Sequence, residues 1–517
     1  MIQTVQGVYT VKNILFIMTD QQRADQTGTK SGFDMPNLDA LARQSSFACV
    51  SVNPICTPAR CALLTGRYSR QVGMVTMSGD LDYQIPTMPQ ALQKIGYLTY
   101  GIGKFHFMQT WPWGTKRGEG WDFLKNEARM RKFGFDYVWE TAGKQQLIQN
   151  YDHYCAYLDE RGLLEGYRDF ICESGGGNGD TADHNYDKTQ PFPFALEHYV
   201  DVVTGRKACE QLERHPGDKP FYMFVSFCGP HKPYDPPREY MEMFPIERVD
   251  DFVLEAGQSL TEEQKDALYR ERRASKAMLK LIDDQVGNIL HVLGKRHMLE
   301  DTLIVFTSDH GDMLGDHFLI QKGVPWKQST MVPLFISLPG MRAMGETNAL
   351  AELTDVTATI LDYAGLDPKQ ALSRPWPAYN DVIPGRSLLP VLRGERSEVR
   401  DFAFSESDFT EERNGVRCVY NREEYQRVYG EGRSTAWQMI RSQTHKYIKY
   451  LGYDAPGKYH EELYDLRSDP DEVHNVARDV MQQAELKRAR DRLAYVLDAY
   501  PPAQKTWTDS PLRDMKH

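Results

Sequence analysis

The sequence predicts an α/β fold: a large, mostly parallel sheet flanked by helices, with a smaller α+β unit at the C-terminal end that carries an antiparallel sheet. Three observations support this. Short apolar runs bounded by turn residues or charges read as strands buried on both faces. Helix-like stretches lie between those runs, the order expected when helices return parallel strands across one sheet. After about residue 395 the alternation stops and hairpin-like sequence takes over.

Taken in order, the runs are 13–19 (NILFIMT), 98–102 (LTYGI), 221–227 (FYMFVSF) and 303–308 (LIVFTS), with helices expected over 37–44, 88–95 and 262–295. Open α/β sheets bind ligands at the carboxyl ends of their strands, so the residues after each run matter. Asp20 and Gln21 follow the first, Lys104 and His106 the second, His231 the third, and Asp309 and His310 the fourth. Polar candidates from four places in the chain should therefore converge on one edge. Residues 108–190, rich in aromatic, charged and Gly residues, are expected to form excursions above it. Their 175–179 run (GGGNG) lacks the Gly-Lys-Ser/Thr of a phosphate loop and reads as a flexible loop. Trp111, Trp113, Tyr151 and Tyr154 are equally candidates to stack on a sugar or aryl ring and candidates for core packing. Toward the C-terminus, 436–450 (AWQMIRSQTHKYIKY) reads as strands joined by a turn, and 480–500 as a closing helix. The change of texture divides the chain into 1–395, expected to be catalytic, and 396–517, an α+β subdomain.

A chain of 517 residues with 41% hydrophobic and 26% charged residues is an ordinary globular protein of more than one domain. Its net charge of -11 excludes a general nucleic-acid binder. Positive potential for an anionic substrate must then be built locally. Eight cysteines without CxxC or zinc-like spacing fit a reducing compartment better than a disulfide scaffold. No signal peptide is evident and no apolar run is long enough to span a bilayer, so a cytoplasmic protein without membrane or nucleic-acid partners is expected.

The most informative segment is 56–67, CTPARCALLTGR. Its C-x-P-x-R followed by L-T-G-R resembles the signature of type I sulfatases, the formylglycine-dependent hydrolases of the alkaline phosphatase superfamily. Residues 461–471 (EELYDLRSDPD) resemble the tail signature of the same family. The resemblance runs in chain order through Asp20, Cys56, Lys104, His106, His231, Asp309, His310 and Lys322. It implies an alkaline-phosphatase-like fold and a formylglycine-generating maturation enzyme as partner, which oxidises Cys56 to the aldehyde whose hydrate is the nucleophile. Asp20, Gln21, Asp309 and His310, with the modified Cys56, would hold one divalent cation. Hard oxygen donors point to calcium first; the imidazole also suits manganese, and magnesium is a further alternative.

By the same resemblance, Arg60 holds the formylglycine hydroxyl and Lys104 anchors the nucleophile. His106, in Gly-Lys-Phe-His, removes the proton from its second hydroxyl, which expels sulfate and regenerates the aldehyde. His231 and Lys322 contact the sulfuryl oxygens and protonate the leaving group. His317 lies near that loop and is a candidate only for lining the pocket. The expected activity is hydrolysis of sulfate monoesters of sugars or aryl alcohols. A phosphonate monoester hydrolase or phosphodiesterase using the same machinery is the alternative, because Asp-Gln and Asp-His at the metal positions resemble that branch. A third reading, a binding protein whose Cys56 is never converted, leaves the full set of basic and metal-binding residues without a purpose.

Overall fold

A computed structural model describes residues 13–27, 32–77, 79–108, 116–174, 189–373, 381–408, 410–413, 416–419, 433–451 and 459–503. Its centre is strand β1 (Asn13–Asp20), whose alternation sends Ile14, Phe16 and Met18 into one apolar cluster and Leu15 and Ile17 into the other. A strand buried on both faces is what the unbroken NILFIM run encodes. Each fully buried Ile or Phe of this kind contributes about 1.5–3 kcal/mol.

Strand β2 (Ser45–Val50) lies toward the far side of the sheet, while β3 (Leu98–Lys104), β4 (Tyr137–Thr141), β5 (Phe221–Pro230) and β6 (Thr302–Ser308) run parallel with β1 in the order β4-β3-β5-β1-β6. Beyond β6 come β7 (Met331–Val332), β8 (Leu334–Ser337) and β9 (Gly345–Glu352). Strand β8 lies antiparallel to β6 and to β2, β7 pairs antiparallel with β2, and β9 pairs parallel with β2. The sheet is thus mixed and mostly parallel. The helices that cover it include α1 (Pro36–Gln44), α2 (Cys56–Thr65), α3 (Met88–Lys94), α4 (Val200–Arg214), α5 (Glu262–Lys295) and α6 (Leu353–Tyr363). The start of α5 is written in the sequence as a capping box: Thr261 accepts from the Gln264 amide, and the Gln264 side chain caps Thr261 in return.

The C-terminal part is an antiparallel sheet of β10 (Ala403–Asp408), then β13 (Ala436–Arg441), β14 (His445–Leu451) and β15 (Tyr459–Asp465), with β11 (Thr410–Arg413) and β12 (Val416–Val419) as a separate ribbon. Helix α7 (Gln483–Ala499) packs Leu486, Leu493 and Val496 on it. Trp437, Met439, Ile448 and Tyr450 of this sheet form one apolar cluster with Val50 and Leu350 of the large sheet. Among the described residues no helix is long and apolar enough to cross a membrane.

Candidate active site

Strand register brings the expected residues together. Asp20 ends β1 opposite Pro230 of β5, and Thr19 pairs with Ser308 of β6, so His231 and Asp309 emerge on either side of Asp20. Lys104 ends β3, one strand beyond β5. Close approach of that strand depends on Gly103, whose φ is +98° and where a Cβ would lie 1.9 Å from the Ser226 carbonyl oxygen. Cys56 is the first residue of α2, a helix buried along its whole length. The amide-rich end of a helix favours negative charge at that position.

Around Cys56 the charges are dense and ordered. Its Sγ lies 3.1 Å from His310 Nε2 and 3.8 Å from Asp20 Oδ1. Burial alone would raise its pKa, yet Lys104, Lys322 and His310 hold the thiol well below its ordinary value. The fully buried Arg60 donates from Nε to Asp309 Oδ2 at 2.7 Å and from Nη2 to Asp20 Oδ2 at 3.3 Å. Its Nη1 bonds the Lys104 carbonyl and Ser226 Oγ. Expected at the nucleophile, Arg60 gives these hydrogen bonds to the two carboxylates, the carboxyl end of β3 and Ser226 within β5. Lys104 Nζ donates to Asp20 Oδ2 at 2.5 Å. Burial opposes its charge, but Asp20 and Cys56 outweigh burial and raise its pKa.

Lys322 Nζ reaches Gln21 Oε1 at 2.7 Å, and Gln21 Nε2 in turn donates to Asp312 Oδ2 at 2.6 Å. The same Asp312 oxygen accepts from Tyr234. Gln21, expected to offer its amide oxygen to a metal, thus uses that oxygen to orient Lys322. Asp312 escaped the sequence reading although it lies three residues after Asp309 in the same Gly-rich turn. Its carboxylate also accepts the Gln321 amide, so it folds the turn that returns Lys322 to the site.

The histidines divide by their hydrogen bonds. His231 Nδ1 faces the Lys232 carbonyl at 2.7 Å, and burial with Lys322 nearby holds its pKa at about 3, so the ring is neutral. His106 has a positive φ of 54°; its Nε2 lies 3.2 Å from Gln146 Nε2, and among the described residues its buried Nδ1 has no hydrogen-bond partner. Burial lowers its pKa, with Lys104 adding to that and Cys56 opposing. His310 Nδ1 faces the Gly311 carbonyl at 3.0 Å, which turns Nε2 toward Cys56, and the Asp309 carboxylate raises the ring's pKa against burial. His317 lies elsewhere: its ring stacks 4.9 Å from Trp326 and its Nδ1 faces Glu255.

The donor set suits a divalent cation. Asp20, Cys56, Asp309 and His310 are fully buried, and their ligand atoms lie within 4.8 Å of one another. Two carboxylates and an imidazole presenting Nε2 meet the charge and ligand needs of such an ion, with Gly311, Arg60 and Lys104 holding them in place. Tyr154 is a core residue whose hydroxyl donates to the His198 carbonyl, and Tyr151 bonds Asp159. Trp111, Trp113 and the 175–179 run lie outside the described residues.

Comparison with known proteins agrees with this geometry. A family model described as sulfatase matches residues 12–366, and one described as N-sulphoglucosamine sulphohydrolase, C-terminal, matches 315–498. An arylsulfatase of Clostridium perfringens is 25% identical, over 98% of this chain and 99% of its own length. A choline-sulfatase of Rhizobium meliloti is 28% identical, over 93% and 86%. The phosphonate monoester hydrolase of Agrobacterium radiobacter superposes with a TM-score of 0.72 at 24% identity, covering 94% of this chain and 95% of that one. A protein solved in complex with its substrate D-glucosamine-2-N,6-O-disulfate superposes with a TM-score of 0.64 at 20% identity, over 98% and 100%.

Proposed function

The chain belongs to the sulfatase family and is a sulfuric ester hydrolase; from that premise we propose that it cleaves sulfate monoesters of sugars or aryl alcohols with formylglycine, made from Cys56, as nucleophile. The observation that carries the mechanism is the setting of Cys56: first residue of a buried helix, among Lys104, Lys322, His106 and His310. One hydroxyl of the aldehyde hydrate, ionised with its proton lost to solvent in this cationic setting, attacks sulfur; the S–O bond to the alcohol breaks and the leaving oxygen takes a proton from Lys322, with the neutral His231 beside it. His106 then takes the proton of the second hydroxyl; the C–O bond to sulfate breaks, the aldehyde re-forms, and sulfate departs with the bonding pair. Arg60 holds Asp20 and Asp309 in line through its hydrogen bonds, and Lys104 and Lys322 set positive charge beside the transferring group. A divalent cation held by Asp20, Asp309, His310 and the residue-56 side chain, calcium before manganese or magnesium, would supply Lewis acidity toward the ester.

A second reading rests on Gln21 and His310 and on the fold shared with the phosphonate monoester hydrolase. The deciding experiment uses protein co-expressed with a formylglycine-generating enzyme and supplied with calcium or manganese. Turnover of 4-nitrophenyl sulfate is compared with that of 4-nitrophenyl phenylphosphonate. We expect the sulfate to be preferred; preference for the phosphonate overturns the sulfate assignment and leaves that of Cys56 standing.

A further inference from the structure

Beside His106 lies a narrow cavity whose other lining residues the mechanism above does not use. Met108, Trp121 and Phe123 give it an apolar wall; Asn126 and Glu140 are its polar groups besides His106. Glu140 sits on β4 directly opposite Gly103 of β3, so it lies one strand over from Lys104 at the same carboxyl edge of the sheet. It is 2% exposed, and among the described residues neither a hydrogen bond nor an ion pair reaches its carboxyl group. Its backbone amide alone is engaged, with His153 Nδ1.

A buried carboxyl without a partner is unfavourable. Burial pushes its pKa well above the ordinary range, and the nearby carboxylates of Asp152 and Glu127 push the same way. That setting has two chemical consequences. A second sulfate or carboxylate on the substrate would find neither lysine nor arginine among the residues lining the cavity. A hydrogen-bond donor would instead satisfy Glu140 and relieve the cost. The cavity has room for about one water molecule, the size of a single hydroxyl or ammonium group.

We propose that this cavity receives one hydroxyl or ammonium group carried by the alcohol half of the sulfate ester, and that Glu140 accepts a hydrogen bond from that group. The proposal rests on the sulfate-ester reading of the site and adds the class of substrate to it: an alcohol with a donor group near the ester oxygen. The apolar wall of Met108, Trp121 and Phe123 borders the carbon skeleton that carries the donor.

Two pairs of sulfates test it, each differing by the donor. 4-Nitrocatechol sulfate carries a hydroxyl that 4-nitrophenyl sulfate lacks; glucosamine 6-sulfate carries an ammonium where glucose 6-sulfate has a hydroxyl. The quantity read is the ratio of kcat/KM within a pair, which cancels losses common to both members. In the wild type at least one ratio should favour the donor-bearing member, and Glu140→Leu should lower that ratio about tenfold or more. Glu140→Gln, nearly isosteric, serves if the leucine variant does not fold. It keeps an acceptor oxygen and so retains much of a hydroxyl preference, but loses an ammonium preference, which separates the two donors. If the wild type discriminates within neither pair, or if both variants leave the ratio unchanged, the subsite is overturned. Absence of any turnover of 4-nitrophenyl sulfate by converted wild type would instead overturn the function it rests on.

Discussion

Two buried lysines, Lys104 in the candidate active site and Lys446 in the C-terminal sheet, show how one residue type serves chemistry in one place and cohesion in the other. Both are almost wholly buried, and each pairs with a carboxylate at about hydrogen-bond distance, Lys104 with Asp20 and Lys446 with Glu472. Around Lys446 the account closes. Glu472 also bonds Arg441 and the Lys327 amide, and burial pushes the Lys446 ammonium down to about 8 because Arg441 and Lys327 offset much of the pull of Glu472. Around Lys104 it stays open. Asp20, Cys56 and Asp309 together raise its pKa, while the buried His106 Nδ1 has no hydrogen-bond partner among the described residues. A closed cluster ties β13 and β14 to the rest of the fold; an open one waits for a metal and a substrate.

The strongest way to break this contrast is to remove the groups left open. Cys56→Ala should abolish turnover of 4-nitrophenyl sulfate, and Asp309→Ala should do the same while lowering bound metal measured by elemental analysis. A Cys56→Ala protein retaining even about a tenth of the wild-type rate would end the nucleophile assignment, since removing one preorganised contact in such sites already costs roughly 10²–10³-fold. Lys104→Met is the next step down. It removes one positive contact and leaves the others, so kcat should fall by about 10²–10³-fold, roughly 3–4 kcal/mol, with folding retained by circular dichroism.

The matching substitution in the closed cluster should have the opposite profile. Lys446→Met leaves Glu472 buried with Arg441 as its remaining cation, and breaking a buried pair on one side costs about 3–5 kcal/mol. The urea midpoint should drop accordingly, while kcat/KM at temperatures where the protein stays folded remains within about twofold, the range of surface changes remote from a site. A large loss of kcat/KM in the folded variant would show that the two clusters are coupled.

The open cluster was the more legible of the two in the sequence, for physical reasons. Asp20, Lys104, His231, Asp309 and His310 each follow an apolar run, so strand ends could be read from hydrophobic patterning and their convergence from sheet geometry. Cys56, Arg60 and Lys322 lie on no strand and needed the motif resemblance. The strands β1, β3, β5 and β6 were visible because they are buried on both faces; β2 opens with two serines and β4 is only YVWET, so neither presented an uninterrupted apolar run. Asp312, Gln146 and Glu140 gave no sequence signal, because their roles depend on which loops fold back over the sheet edge. The antiparallel C-terminal sheet was legible in outline through its hairpin and tail, but its ion pairs join residues far apart in sequence, and no local pattern announces them.

A gentler probe of the closed kind is Glu462 on β15. Burial works to raise its pKa, yet His460, Arg433 and Tyr464 hold it down to about 2, against an ordinary 4.5. Because the folded pKa lies below the unfolded one, the unfolded chain binds more protons between these values. The stability that Glu462 contributes is therefore complete above about pH 4.5 and is lost as pH falls toward 2. Glu462→Gln should cost about 2–3 kcal/mol at pH 6, less than the lysine substitution, and the gap to wild type should narrow steadily between pH 4.5 and 3. Urea titrations at pH 6, 4.5 and 3 measure it. A gap that stays constant with pH would mean that Glu462 acts through packing and neutral hydrogen bonds, as Tyr450 and Tyr464 could supply, and that its charge contributes little beside Arg433.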